Sequence, residues 1–164
     1  MSNGIGVLLA KLQADLREFI GLLNSHKVDY LVVGGHAVAF HGHPRFTGDI
    51  DFLIRTTPSN AHRVLDVLNA FGFGTLGIAE SDLLEPGRIV QLGHPPNRID
   101  ILTSIAGVDF DSAWEGRVQT AMDDQSVSLI GWNELLRNKQ ASGRPKDLAD
   151  IEKLLAIAKR KGAD

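Results

Sequence analysis

Apolar residues recur along this chain with two different periods, and the switches between them mark out the elements. From residue 5 to residue 24, Ile5, Leu8, Leu9, Leu12, Leu16, Phe19, Ile20 and Leu23 fall at helical spacing, which predicts an amphipathic helix. "VDYLVV" (28–33) is β-branched and aromatic and stops at Gly34–Gly35, so it predicts a strand. "GHAVAFHG" (35–42) predicts a short helix and "PRFTG" a loop. In "DIDFLIR" (49–55), Asp49, Asp51 and Leu53 alternate with Ile50, Phe52 and Ile54, the period of two expected of a strand. "TPSNAHRVLDVLNAFG" (57–72) carries Pro58 and Ser59 in its first turn, places Ala61, Val64, Leu65 and Leu68 at helical spacing, and closes at Gly72. Residues 73–87 are glycine-rich and predict a mobile loop around one short helical turn. "RIVQLG" (88–93) and "RIDILTS" (98–104) are two short strands, and "HPPN" between them signals a hairpin. A short helix over 109–117, a strand over 126–130, and helices over 131–142 and 145–162 follow; Gly143 and Pro145 separate the last two.

These elements predict one α+β domain over residues 1–164. A small mixed sheet of about four or five strands with packed helices makes a core over 1–130, and a C-terminal helical pair follows over 131–162. The length of 164 residues and a hydrophobic content of 43 % suit a single core. The net charge of −3 does not point to nucleic acid. Charge is uneven, however: from Arg137 to Lys161 there are eight Lys or Arg against Asp147, Asp150 and Glu152. Such a tail is either a positive surface for an anionic ligand or a solvated helix face. Cysteine is absent, which excludes disulfides, thiolate nucleophiles and zinc–sulfur sites. The N-terminus lacks a signal-peptide pattern, and no apolar stretch approaches the roughly 20 residues that span a bilayer. The expectation is a cytoplasmic protein without a membrane partner.

Candidate chemistry centres on Asp49 and Asp51. On a strand, positions i and i+2 point the same way with Cα atoms about 6.6 Å apart. Two carboxylates held side by side repel, and burying them requires a cation. A divalent metal meets that need, because carboxylate oxygens are the ligands Mg²⁺ prefers; an exposed sheet edge with both aspartates solvated is the plainer alternative. Three features favour the metal. "RIDIL" places Asp100 in another strand as a third carboxylate, with Ile99 and Ile101 on the opposite face. Gly34–Gly35 ends a strand and opens a helix, where backbone N–H groups and the helix dipole suit phosphate. The thirteen residues between Gly35 and Asp49 allow a short helix and a return into a neighbouring strand. Together they describe a site for a nucleoside triphosphate (NTP), with phosphates on the glycine turn and two metal ions on the aspartates.

"VVGGHAVAFHGHPRFTGDIDFLI" followed by "RIDIL" resembles the nucleotidyltransferase superfamily of DNA polymerase beta, with its pattern G-[GS], a spacer, D-x-D and a later third carboxylate. The tail "NKQASGRPKDLADIEKL" resembles the K…R-x-K-D-x-x-D signature of AbiEii/AbiGii-type nucleotidyltransferases, toxin components of type IV toxin–antitoxin systems. The resemblance spans roughly residues 28–55, 98–103 and 135–155. It implies that Gly34 and Gly35 hold phosphates and that Asp49, Asp51 and Asp100 hold Mg²⁺, with Mn²⁺ as a substitute. It also implies that Asp100 assists deprotonation of the acceptor through a metal, and that Lys139, Arg144 and Lys146 meet phosphate or acceptor, ordered by Asp147 and Asp150. On a helix Lys146 and Asp150 are i, i+4 neighbours, so Asp150 is expected to orient that lysine; the alternative is capping and surface ion pairs. Many superfamily members have Gly-Ser where this chain has Gly34–Gly35, which leaves phosphate binding to backbone amides and the basic residues. The reaction implied is transfer of a nucleoside monophosphate from an NTP to a hydroxyl of an RNA 3′ end or a protein, with an antitoxin protein as a partner. A small-molecule antibiotic acceptor, which the double glycine allows, and a non-catalytic binding module are the alternatives.

Arg45 and Thr47, in the loop before Asp49, are further candidates for contacting the triphosphate. His36, His41 and His43 are spaced by five and two residues, which is not the i, i+4 arrangement of a helical metal pair. They are expected to pack or face solvent, with His36 or His43 as nucleotide contacts in the other reading. Trp114 and Trp132 are expected in packing rather than in base stacking.

Overall fold

The structure is a computed structural model that describes residues 3–43, 48–94, 98–122 and 124–163. Among them six α-helices surround a sheet of six strands, where the sequence predicted four or five. In chain order these are α1 (Asn3–Ser25), β1 (Tyr30–Val33), α2 (Gly34–His41), β2 (Ile50–Ile54), α3 (Pro58–Phe71), β3 (Ile89–Leu92), β4 (Ile99–Leu102), α4 (Phe110–Glu115), β5 (Val118–Met122), β6 (Gln125–Leu129), α5 (Trp132–Ser142) and α6 (Pro145–Ala163). The extra strand is β5, which pairs only with β6 at one edge of the sheet. Its sequence "VQTAM" has no apolar run, and its side chains are half-buried or exposed. Residues 73–87 hold two 3₁₀ turns, Gly74–Leu76 and Glu80–Leu83, rather than one helical turn, and fully buried Leu83 anchors them.

The sheet order is β3-β4-β2-β1-β6-β5. Strands β1 and β2 are antiparallel, β2 and β4 parallel, β1 and β6 parallel, and the two edge pairs antiparallel. The period of two sends Phe52 of β2 to one face, where it meets Phe19 of α1 at 5.5 Å between ring centroids. Phe71 of α3 meets the same Phe19 ring at 5.2 Å, so α1 and α3 close the core on that face. Helix α3 starts with Thr57 Oγ1 accepting from the Asn60 backbone N–H at 3.3 Å. Buried Asn60 then ties the helix to the sheet: it accepts from Asp29 N at 2.8 Å and donates to the Asp29 and Arg55 carbonyls at 3.1 and 2.8 Å. No helix among the described residues is long and apolar enough to cross a membrane.

Candidate functional site

Strand register decides which side chains meet. Val33 stands opposite Asp51 in the antiparallel pair, and Asp51 stands opposite Asp100 in the parallel pair. The end of β1, where the chain turns into α2, therefore lies beside two carboxylates on the sheet face away from Phe52. Gly34 has φ +69°, and a Cβ on it would lie 2.1 Å from Asp51 Oδ2. Glycine is required there twice over, by the left-handed backbone and by the carboxylate already in that space. Val33, the residue before α2, makes no side-chain cap bond to the start of that helix.

The three aspartates are not simply three carboxylates awaiting a cation. Arg98 places Nε 2.6 Å from Asp100 Oδ1 and Nη2 3.0 Å from Asp100 Oδ2, a two-pronged ion pair. The same Nη2 lies 3.6 Å from Asp49 Oδ2, while the Arg98 backbone N–H donates to Asp49 Oδ1 at 2.8 Å. Asp49 sits just before β2, where the Ile50 N–H donates to the Arg98 carbonyl at 3.0 Å. Asp51 forms no salt bridge within 4 Å among the described residues. Burial, then the charge of Asp100 and a hydrogen bond to it, push the Asp51 carboxyl up to about 6, with Arg98 pulling the other way. The carboxylates suit a hard divalent ion by donor type and by their place on adjacent strands. As they stand, no group of three or more His, Asp or Glu among the described residues is arranged to hold a metal ion.

Arg98 was not singled out from sequence, although "RID" places it two residues before Asp100 and so on the same strand face. Arg45 and Thr47 lie outside the described residues. His41 pairs a ring nitrogen with the Ile130 carbonyl at 2.8 Å and packs against Trp132, a structural role. Burial lowers the pKa of His36, with Asp49 opposing, which favours a neutral ring. Trp114 stacks on Phe110 and has the Arg117 guanidinium over its ring, a packing role.

The basic tail is arranged differently from the expectation. Asp150 pairs with Lys139, whose Nζ lies 3.3 Å from Asp150 Oδ2 and 3.2 Å from Asp147 Oδ1, and not with Lys146. Lys139, Asp147 and Asp150 are all buried where α5 meets α6. Asp147, in the first turn of α6, also accepts from the Arg144 backbone N–H at 3.3 Å and from Arg144 Nε at 2.7 Å. Burial alone would raise the Asp147 carboxyl, but hydrogen bonds from Arg144 and Lys139 outweigh it and hold the group below the usual carboxylate range. Lys146 stays exposed. The tail is thus neither a plain solvated face nor a set of surface pairs: a buried ion cluster carries two exposed cations.

One groove of about 750 Å³ collects these groups, a size ordinary for small-ligand sites. Gly34, Gly35, Asp49, Asp51, Arg98 and Asp100 line it, together with Lys139 of α5, Arg144 of the turn after it and Lys146 of α6. Its remaining wall, from β3 and β4 to α5, is uncharged: Ile89, Gln91, Leu102, Ile105 and Asn138.

Residues 8–159 match a family described as nucleotidyltransferases of unknown function, DUF6036. No curated protein matches the chain. Crystal structures that share the fold include these three. An antigenic nucleotidyltransferase-like protein from Paracoccidioides brasiliensis aligns with TM-score 0.53 and 21 % identity over 89 % of this chain and 74 % of its own. A candidate nucleotidyltransferase from Thermotoga maritima gives 0.53 and 16 % over 91 % of each chain. A lincosamide antibiotic adenylyltransferase, solved with lincomycin bound, gives 0.52 and 17 % over 88 % and 96 %.

Proposed function

The chain belongs to the DUF6036 family of nucleotidyltransferases, and from that membership we propose that it transfers a nucleoside monophosphate from an NTP to a hydroxyl acceptor, releasing pyrophosphate. The observation that carries the reading is Gly34. Its missing Cβ lets a phosphate-type turn lie directly against Asp51, which itself stands in register with Asp100. In this reading the N–H groups of Gly34 and Gly35 bind the triphosphate, and Arg144, just before α6, and Lys146, in its first turn, reach it from the other side. Lys139, fixed between Asp147 and Asp150, positions that helix and adds positive charge to the groove wall rather than swinging onto the substrate. Asp49, Asp51 and Asp100 would hold divalent cations, Mg²⁺ by donor type and Mn²⁺ as its substitute. Bound there, such ions supply a more acidic attacking hydroxyl and neutralisation of the leaving pyrophosphate. Everything else is positioning and electrostatics in the groove.

For the acceptor, the likeness of "RPKDLAD" to AbiEii-type toxins supports an RNA 3′ end or a protein hydroxyl, with an antitoxin as partner. A second reading is favoured by the uncharged wall of Ile89, Gln91, Leu102, Ile105 and Asn138, which offers a phosphodiester chain no cation. It suits a small amphipathic hydroxyl compound, the class to which the lincosamide acted on by one structural neighbour belongs. The test is incubation with labelled NTPs and Mg²⁺, with either total RNA, a protein extract or a panel of hydroxylated antibiotics. The Asp49→Ala/Asp51→Ala protein is the control. Label entering one acceptor class, lost in the double variant, supports transfer and selects the class. No labelled product and no pyrophosphate with any acceptor would leave a nucleotide-binding module instead.

A further inference from the structure

Three carboxylates on one sheet face require positive charge whether or not a substrate is present, and this chain carries its own. Arg98 grips both oxygens of Asp100, reaches Asp49 with the same nitrogen, and is fixed by its backbone against Asp49 and Ile50. Strand geometry makes the grip local: Arg98 and Asp100 are i and i+2 on β4 and its lead-in, so the guanidinium lies along the face it neutralises. A divalent ion ligated by Asp49, Asp51 and Asp100 would need the lone pairs of Asp100 that the guanidinium now engages. Two cations cannot share those oxygens without repelling each other.

We propose that Arg98 is a tethered counter-ion that a divalent cation must displace from Asp100, and that the displaced guanidinium then meets the triphosphate, so that metal and nucleotide bind cooperatively. This rests on the nucleotidyltransferase reading. Anchored at its backbone and lining the same groove as Gly34 and Gly35, Arg98 stays beside the bound ligand after release. A metal–nucleotide complex brings both replacements at once, positive charge for the carboxylates and negative charge for the arginine. Metal alone leaves the guanidinium without a partner, and nucleotide alone meets the clustered carboxylates. Coupling of this kind is reciprocal, since each ligand raises the affinity for the other by one shared factor.

The experiment is Mn²⁺ titration followed by electron paramagnetic resonance, with and without a non-hydrolysable ATP analogue, on the full chain. Arg98→Gln is compared with the unsubstituted protein and with Asp51→Asn. For the unsubstituted protein, the analogue is expected to tighten Mn²⁺ binding about tenfold, an ordinary coupling factor. In Arg98→Gln, Mn²⁺ alone is expected to bind about tenfold tighter and the analogue to add little. An arginine that merely braces the strand would lower the melting temperature without moving Mn²⁺ affinity. Equal Mn²⁺ affinity in both proteins, abolished by Asp51→Asn, would overturn the displacement and leave the metal site intact. No Mn²⁺ binding by any of them, with or without the analogue, would overturn the metal-dependent reading and the inference with it. If Arg98→Gln does not fold, Arg98→Lys keeps the charge and loses the fork; Mn²⁺ binding several-fold tighter than in the unsubstituted protein supports the proposal, and unchanged binding overturns it.

Discussion

At Asp51 the environment works against the charge. Burial comes first, then the neighbouring Asp100, and together they bring the carboxyl to about 6 against an ordinary 3.8. The folded chain therefore holds that proton more tightly than the unfolded chain does. Folding is favoured as pH falls from about 6 toward 4, and that advantage is lost as pH rises through 6. Asp51→Asn, uncharged at every pH, is expected to raise stability at pH 8 by up to about 3 kcal/mol, from roughly 1.4 kcal/mol per pKa unit. It should leave stability unchanged at pH 4. Melting curves of both proteins at the two pH values check this, and a lower melting temperature for the variant at pH 8 contradicts it. Gly34 has no such latitude, because any side chain there would compete with Asp51 Oδ2 for one position. Both residues were legible in sequence, since a glycine pair after an apolar run and a period-two pair of aspartates are local patterns. The ionisation of Asp51 was not, because it depends on Asp100 arriving from another strand.

Among the elements, the α5–α6 corner is held by polar groups where apolar ones would be ordinary. Asp147 is fully buried and receives hydrogen bonds from Lys139 and Arg144. Asp147→Ala would leave the Lys139 ammonium buried with Asp150 as its remaining carboxylate partner among the described residues, so a loss of about 3–5 kcal/mol is expected. Lys139→Met takes the shared cation from buried Asp147 and Asp150 together, so it is expected to cost at least as much although Arg144 still serves Asp147. Urea denaturation of the two variants measures both losses; losses below about 0.5 kcal/mol in both would show that the corner does not depend on this cluster. The sequence suggested Lys146 as the partner of Asp150 because i, i+4 neighbours share a helix face. Tertiary packing overrode the local rule: Asp147, Asp150 and Leu154 form the seam of α6 buried against its neighbours, and Lys146 stands outside it. The sheet shows the same limit of local pattern. Strands β1, β2 and β4 are apolar and were legible, whereas β5 is an edge strand whose identity comes from pairing with β6.

In the whole molecule, core and site lie on opposite faces of one sheet. Phe19, Phe52 and Phe71 pack on one side, and the carboxylates and the groove occupy the other. Chelation with EDTA is therefore expected to abolish nucleotidyl transfer while leaving the circular dichroism spectrum and melting temperature within about 2 °C, a fraction of a kcal/mol for a chain of this size. A large fall in melting temperature would mean that bound ions hold the fold itself. Order of elements and fold class followed from the spacing of apolar residues, and the groove followed from motifs distant in sequence but joined by strand order. The register of β2 against β4 has one more consequence. The chain between those strands could gain or lose residues without changing which carboxylate faces Asp51. Deleting a single residue inside β4 would instead present an isoleucine there and turn the acid toward the hydrocarbon side, so length variation is tolerable between the strands and ruinous within them.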